Sequence, residues 1–407
     1  MTGRHIVIVG AGQAAAQAIL TLRQKKFDGR ITLVGEEDLP PYQRPPLSKK
    51  YLAGELDRER LFLRPLAFYE KNEVDLQLGV RAEELDPDRR RVRLNDGRSL
   101  DYDGLLLATG SRVRRLNIPG SDLPGIHYVR NVADVDSISE AFRPGNQLVV
   151  VGAGYIGLEV SAVAVSRGLQ VTVLEAVDRV MARVVCPEVS QFYFDYHTRS
   201  GVDIRCGTTI GSFVGNGRVE AVSAASGELF PCDLAIVGIG IEPVVEPASS
   251  AGLTCENGIR VDEFARTGDK AIVAAGDCTN HPSLLYGRRV RLESVQNAID
   301  QAKIAAASLL GEDQPYETVP WFWSDQYDLK LQIAGLSQDH DRVVMRGEPD
   351  SSGFAAFYLR DGKLQAVDAV NSPKDFMLGK RLIMQRAAPS LELLADPATD
   401  LAELLKR

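Results

Sequence analysis

One pattern occurs twice in this chain of 407 residues and constrains its fold more than any other feature. The first copy begins with the apolar stretch from His5 to Val9 and enters Gly10-Ala11-Gly12-Gln13-Ala14-Ala15. An apolar-periodic segment then leads to Ile31-Thr32-Leu33-Val34, with an acid just beyond at Glu36. The second copy runs from Leu148 to Val151 into Gly152-Ala153-Gly154-Tyr155-Ile156-Gly157, continues to Val171-Thr172-Val173-Leu174, and ends on Glu175. Each copy predicts a buried strand, a tight turn, a helix and a second strand that returns parallel to the first, a βαβ unit. The predicted fold class is therefore α/β, with two Rossmann-like modules.

The turn residues say what such modules hold. In a strand–turn–helix of this kind, backbone N–H groups and the positive end of the helix point at one place, which suits a pyrophosphate. The first glycine, Gly10 or Gly152, permits the tight turn. The second, Gly12 or Gly154, lets the backbone approach the phosphate. The third small residue, Ala15 or Gly157, allows the helix to pack closely on the strand. Glu36 and Glu175 stand where a carboxylate accepts ribose hydroxyls. A carboxylate at Glu175 repels a 2′-phosphate, so the second module is expected to prefer NADH over NADPH, although Arg179 or Arg183 could reach a phosphate. Two such sites imply two dinucleotides.

Between and beyond the repeats lie further short strands. Gly104 to Leu107 runs into Ala108-Thr109-Gly110, and Leu234 to Val237 runs toward Gly240. Lys270 to Ala275 ends in Gly276-Asp277, and a long helix is expected from about Ser294 to Leu310. The first module needs the strand before Asp277 to complete its sheet. The expected domains are a discontinuous first module at 1–113 and 242–321, a second at 114–241, with Pro119-Gly120 as a hinge, and a C-terminal α+β domain at 322–407. In that last part Leu329–Leu336, Asp341–Arg346, Gly353–Leu359 and Lys363–Val370 predict an antiparallel sheet, and Asp375 to Arg407 reads as helical.

Composition narrows the function by exclusion. A net charge of −8 lacks the basic footprint of a general nucleic-acid binder. The most apolar stretch, Leu148 to Val165, contains Glu159 and three glycines and is too short to span a bilayer. The start, Met1-Thr2-Gly3-Arg4-His5, has no secretory pattern, so a cytoplasmic protein is expected. Five cysteines, widely spaced and without C-x-x-C, predict reduced thiols and no metal site.

These motifs together resemble the two-dinucleotide-binding flavoproteins with a glutathione-reductase-like fold. The resemblance rests on Gly10-Ala-Gly12, Ala108-Thr109-Gly110, Gly152-Ala-Gly154-Tyr-Ile-Gly157-Leu-Glu159 and Ala275-Gly276-Asp277, and it covers essentially the whole chain. It implies non-covalent FAD in the first module, with Asp277 on its ribityl or phosphate portion, and the nicotinamide cofactor in the second. Disulfide-reducing members carry cysteines soon after the first unit. Here Pro40 to Leu52 contains none, and a dithiol relay needs a thiolate.

The stretch Arg44-Pro45-Pro46-Leu47-Ser48-Lys49, together with Glu293-Ser294-Val295 and Pro320-Trp321-Phe322-Trp323, resembles the ferredoxin reductases of bacterial oxygenase systems. That likeness implies an NADH-dependent enzyme passing single electrons to a 2Fe–2S ferredoxin, which serves a haem monooxygenase or a Rieske dioxygenase. It implies that Lys49 sits near the flavin and pairs with Glu159, and that Trp323 stacks near the isoalloxazine. Ala14 and Glu36 would contact the adenosine end of FAD and Ala82 its adenine. Arg44 and Pro45 would line the flavin, Arg130 would meet phosphates, and Val295 would present its N–H to the flavin, with Glu293 close by. Tyr155, Ile156 and Glu159 would line the nicotinamide pocket, with Glu175, Arg183 and Gly240 around the rest of that cofactor. Arg288, Arg289 and Arg291 are expected to form a basic docking surface for an acidic ferredoxin, and the protein to be a monomer or weak dimer. A rubredoxin reductase, or a flavoprotein of the apoptosis-inducing-factor type, shares the same modules.

Overall fold

A computed structural model describes residues 3–349 and 353–405. The chain divides into two compact units. One draws on 1–43, 58–112 and 241–320, and the other on 44–57, 113–240 and 321–407.

In the first unit the sheet order is Ile272–Ala274, Gly104–Leu107, His5–Val9, Arg30–Gly35, Val74–Leu78, all parallel. Strands buried on both faces are apolar throughout rather than alternating. Accordingly Ile6, Ile8, Ile31 and Leu33 are fully buried, and so are Val7 and Leu105 on the other face. Each such side chain contributes roughly 1.5–3 kcal/mol by leaving water. The Gln13–Gln24 helix packs on the Val295–Leu309 helix through alanines, with Ala15, Ala18, Ala302 and Ala305 fully buried. A three-stranded antiparallel sheet, Ala82–Asp86, Arg91–Leu94 and Ser99–Asp101, fills the crossover between the third and fourth parallel strands.

The second unit repeats this plan. Its parallel sheet runs Val202–Arg205, Gln170–Leu174, Gln147–Val151, Leu234–Val237, Ile126–His127, with the glycine-turn strand again in the centre. Its crossover sheet is Ile210–Val214, Ala221–Ala224 and Leu229–Pro231. Pro119 and Gly120, expected as a hinge, are stitched to that sheet. Phe213 N–H donates to the Pro119 carbonyl at 2.9 Å, and a Cβ on Gly120 would fall 2.1 Å from the Phe213 carbonyl oxygen. A Pro-Gly pair specifies a turn and says nothing of what the turn is bonded to.

The expected C-terminal sheet is present and has a fifth strand. Its antiparallel order is Trp321–Gln326, Leu329–Gly335, Lys363–Val370, Phe354–Arg360, Arg342–Arg346. The C-terminal part expected to be helical forms three helices, Pro373–Met384, Leu391–Ala395 and Leu401–Leu404. Lys406 and Arg407 lie outside the described residues. The last pieces are too short to hold themselves. The buried Arg346 holds them through the carbonyls of Leu394, Asp396, Pro397 and Thr399, and it pairs with Asp375 at 3.1 Å. Among the described residues no helix is long and apolar enough to cross a membrane.

Candidate functional site: two glycine cradles and a buried ion pair

The two glycine turns are built alike. Gly10 has φ +107°, and a Cβ there would meet the Ala108 carbonyl oxygen at 2.1 Å. Gly152 has φ +101°, and its Cβ would meet the Gly238 carbonyl oxygen at 2.6 Å. Left-handed backbone and a carbonyl in the way admit only glycine. The second glycines are the opposite case. Gly12 and Gly154, each the N-cap of its helix, have no atom within 4 Å of where a Cβ would lie. Open space before a helix N-terminus, flanked by backbone N–H groups, suits a pyrophosphate. The residues present therefore fit a dinucleotide at both turns. The third position differs between the copies. A Cβ on Gly157 would strike the Gly152 carbonyl oxygen at 2.0 Å, whereas Ala15 is accommodated and fully buried.

Around the first cradle the fold gathers the other residues expected of that module. A Cβ on Gly276 would stand 3.5 Å from Ala14 and 3.8 Å from Ala298, so the late Gly-Asp turn and the Val295–Leu309 helix both close on the glycine-turn helix. Asp277 accepts a hydrogen bond from Ser111 at 2.9 Å. Thr109 donates to the Val244 carbonyl at 2.6 Å, which fixes the Ala108-Thr109-Gly110 turn. Glu36 is exposed beyond the Arg30–Gly35 strand, 3.5 Å from the Arg81 guanidinium, and buried Ala82 opens the next sheet. Val295 is the first residue of its helix, capped by Ser294, whose Oγ accepts from Asn297 N–H at 3.1 Å. Gln301 was not foreseen. Fully buried, it accepts from Gly276 N–H and from the Thr279 hydroxyl, both at 2.8 Å, and so holds the Gly-Asp turn to the helix.

In the second unit Glu159 is 1% exposed and forms an ion pair with Lys49 at 2.7 Å. The carboxylate is fully partnered: Ser324 donates to Oε1 at 2.6 Å, and Ser48 donates to Oε2. Neither serine had been given a role; only their neighbours had. Buried carboxylates persist when paired and hydrogen-bonded, and three separate chain segments meet here to do it. Arg44 donates to the Arg130 carbonyl at 2.6 Å, and Pro45 opens the one-turn helix Pro45–Ser48 that carries Lys49 at its end. Tyr155 packs on Phe322 at 4.8 Å, while Ile156 is exposed beside it. Trp323 is half-buried on the same strand as Ser324, 5.5 Å from the ring of Trp321.

One expectation changes, and another gains detail. Arg179 donates to the carbonyls of Ala182 and Val185, so its fork is committed to backbone, whereas Arg183 is exposed. Of the three arginines expected as a docking cluster, Arg289 binds the carbonyls of Val261 and Asn280, and Arg291 pairs with Glu293 at 2.5 Å; Arg288 is exposed. All five cysteines are free, and burial raises the thiol pKa of every one of them, which makes each a poorer nucleophile.

Comparison with known proteins agrees with this construction. Residues 4–302 match the pyridine nucleotide-disulphide oxidoreductase family, and residues 321–405 match the reductase C-terminal family. The chain is 44% identical to rhodocoxin reductase of Rhodococcus erythropolis, covering 99% of this chain and 94% of that protein. It is also 44% identical to a ferredoxin–NAD(P)+ reductase of a Sphingomonas species, covering 95% of each. The reductase in the crystal structure of a covalent putidaredoxin reductase–putidaredoxin complex superposes with a TM-score of 0.97 at 41% identity, covering 100% of this chain and 99% of that one. The chain thus belongs to the pyridine nucleotide-disulphide oxidoreductase family, as an FAD-binding, NAD(P)H-using oxidoreductase with a reductase C-terminal domain.

Proposed function

We propose that this protein is an NADH-dependent ferredoxin reductase that delivers electrons one at a time to a 2Fe–2S ferredoxin supplying a haem monooxygenase or a Rieske dioxygenase. The observation that carries the reading is the pair of equivalent cradles, each with one glycine pressed on a carbonyl and the next open to a phosphate. The thiol chemistry that would point elsewhere in the family has no support, since Pro40 to Leu52 lacks cysteine. FAD, when bound, accepts a hydride and releases electrons singly, which converts a two-electron donor into a source for a one-electron carrier.

The chain's own residues bind and orient. The module at 1–113 and 242–321 takes FAD, with Gly10, Gly12, Glu36 and Asp277 along the dinucleotide and the Val295 helix N-terminus stabilising negative charge on the flavin ring. The module at 114–241 takes the nicotinamide cofactor, with Gly152, Gly154 and Gly157 at the phosphates. Glu175 favours NADH, because its carboxylate repels a 2′-phosphate. The domain at 322–407 contributes Trp323, and its Ser324 helps hold Glu159 in place for Lys49. Arg288 supplies positive charge for an acidic ferredoxin, while Arg289 and Arg291 shape its hairpin. We place the protein in the cytoplasm, as a monomer or weak dimer, which suits five reduced thiols.

The test is cytochrome c reduction by the yellow holoprotein with NADH or NADPH, with and without added carriers. Strong acceleration by 2Fe–2S ferredoxins and a preference for NADH are expected. Acceleration by rubredoxin alone would assign the other carrier. Ferricyanide turnover that no iron protein accelerates in the cytochrome assay would refute the proposal.

A further inference from the structure

The loop between Glu175 and the Pro187–Arg199 helix has no regular structure, yet it grips the second glycine turn from both sides. Glu175 Oε2 accepts from Ala153 N–H at 2.6 Å, and its Oε1 accepts from Val177 N–H at 3.1 Å. The Ala153 carbonyl accepts in turn from Met181 N–H at 2.9 Å. Ala153 lies between Gly152 and Gly154, so both backbone polar groups of the cradle's middle residue are held by this one loop.

Met181 adopts φ +49° and is buried. A bulky residue in the left-handed region is strained, so its neighbours must hold it there. Arg179 does so. Its Nη1 donates to the Val185 carbonyl at 2.9 Å and its Nη2 to the Ala182 carbonyl at 2.8 Å. Those two acceptors flank Arg183, which is exposed; a Cβ on Gly240 would stand 3.7 Å from Arg183 Nη2.

We propose that Arg179 is a positioning residue for the nicotinamide dinucleotide. It closes the 179–185 turn, so that Met181 braces the glycine cradle and Arg183 is presented toward the cofactor's adenosine end. This rests on reading the second cradle as the nicotinamide site. A planar fork with fixed donors holds two carbonyls at once, whereas the compact ammonium of lysine does not. A loop ordered before the ligand arrives has less freedom to lose on binding. The consequence is specific: removing the fork weakens capture of the dinucleotide and leaves later steps alone.

The experiment uses the FAD-loaded enzyme with ferricyanide as acceptor and compares Arg179→Met, Arg179→Lys and Arg183→Ala. Flavin content and melting temperature report whether each variant is folded. Both Arg179 variants are expected to raise the KM for NADH about tenfold, the scale of losing charge-assisted hydrogen bonds. They should change kcat by less than about twofold, because the lost interaction acts on binding. Arg179→Lys is expected to fail as a rescue. Direct titration with NAD+ should show the same loss of affinity. Wild-type KM in both variants, recovery by lysine, or a penalty falling on NADPH far more than on NADH would overturn the proposal, the last two by making Arg179 a simple phosphate cation. A wild-type holoenzyme that neither NADH nor NADPH reduces would instead overturn the reading beneath it.

Discussion

Asp368 sits on the Lys363–Val370 strand at 0% exposure. Its Oδ2 accepts a hydrogen bond from the Tyr358 hydroxyl on the paired strand, and its Oδ1 has no partner. The Tyr358 oxygen accepts from Cys186 N–H at 2.9 Å. Burial pushes the Asp368 carboxyl up to about 7, with the Tyr358 hydrogen bond opposing the rise, against 3.8 in an open chain. Between those two values the folded state holds a proton that the unfolded chain has released. Stability is therefore complete near pH 4, falls as pH rises, and levels off above about pH 7. At about 1.36 kcal/mol for each tenfold difference in proton affinity, the loss by neutral pH is about 4 kcal/mol, of which roughly 2.5 develops between pH 5 and pH 8. Asp368→Asn keeps an acceptor for Tyr358 and removes the ionisation. It also buries an amide N–H₂ without a partner, which costs about 1–3 kcal/mol at every pH. The diagnostic is thus the slope. Melting temperatures of FAD-loaded wild type and Asp368→Asn, taken from pH 5 to pH 8, should diverge in the variant's favour by on the order of 5 °C as pH rises. Parallel curves would mean that Asp368 ionises alike in both states, and the reasoning from burial would be wrong.

Two further outcomes are expected. Gly157→Ala places a methyl 2.0 Å from the Gly152 carbonyl oxygen; NADH reduction should fall by orders of magnitude while flavin content is retained, and Ala15→Gly, the reciprocal change, should leave FAD binding nearly intact. Equal tolerance at both positions in NADH-reduction and flavin-content assays would contradict this. Lys49→Met leaves the Glu159 carboxylate buried without its cation, which should cost about 3–5 kcal/mol in denaturant unfolding. The double variant Lys49→Met with Glu159→Gln should recover most of that loss, and a loss that is merely additive would show that the pair is not coupled.

Where the sequence was decisive, the constraint was local. Gly10 and Gly152 must be glycine because their own φ and the carbonyl beside them allow nothing else, and that demand stands in the sequence as a motif. The start of the Val295 helix was legible for the same reason, since its cap is the preceding residue, Ser294. The arginine cluster shows the limit. Arg288 and Arg289 are adjacent in sequence but lie on one strand, Arg288–Val290, where successive side chains point to opposite faces. One reaches solvent, and the other turns inward to carbonyls of Val261 and Asn280. Closeness along a chain becomes closeness in space only when the period of the element permits it. What holds the short C-terminal helices was likewise not legible, because they depend on Arg346, which lies 48 positions before Leu394.

The surroundings of Glu159 mark the line between what is legible and what is not. The Tyr155–Ser166 helix reads YIGLEVSAVAVS, apolar on nearly every side, and its middle, Gly157 to Ala162, is buried. The sequence alone left Glu159 also readable as a solvent-facing helix residue, but a carboxylate buried in such a helix needs a cation or hydrogen-bond donors brought to it. Their identity does not follow, because they arrive from 111 and 165 positions away, at Ser48 and Ser324. Only a resemblance to known reductases pointed to Lys49. Asp368 repeats the logic with a different answer. It lies in the strand KLQAVDAV, at a position whose neighbours are all buried, yet no cation meets it among the described residues, and burial instead raises its carboxyl pKa to about 7. A buried acid in a sequence is thus a question with two physical solutions, a partner or a proton. The fold chooses between them by what the distant segments deliver.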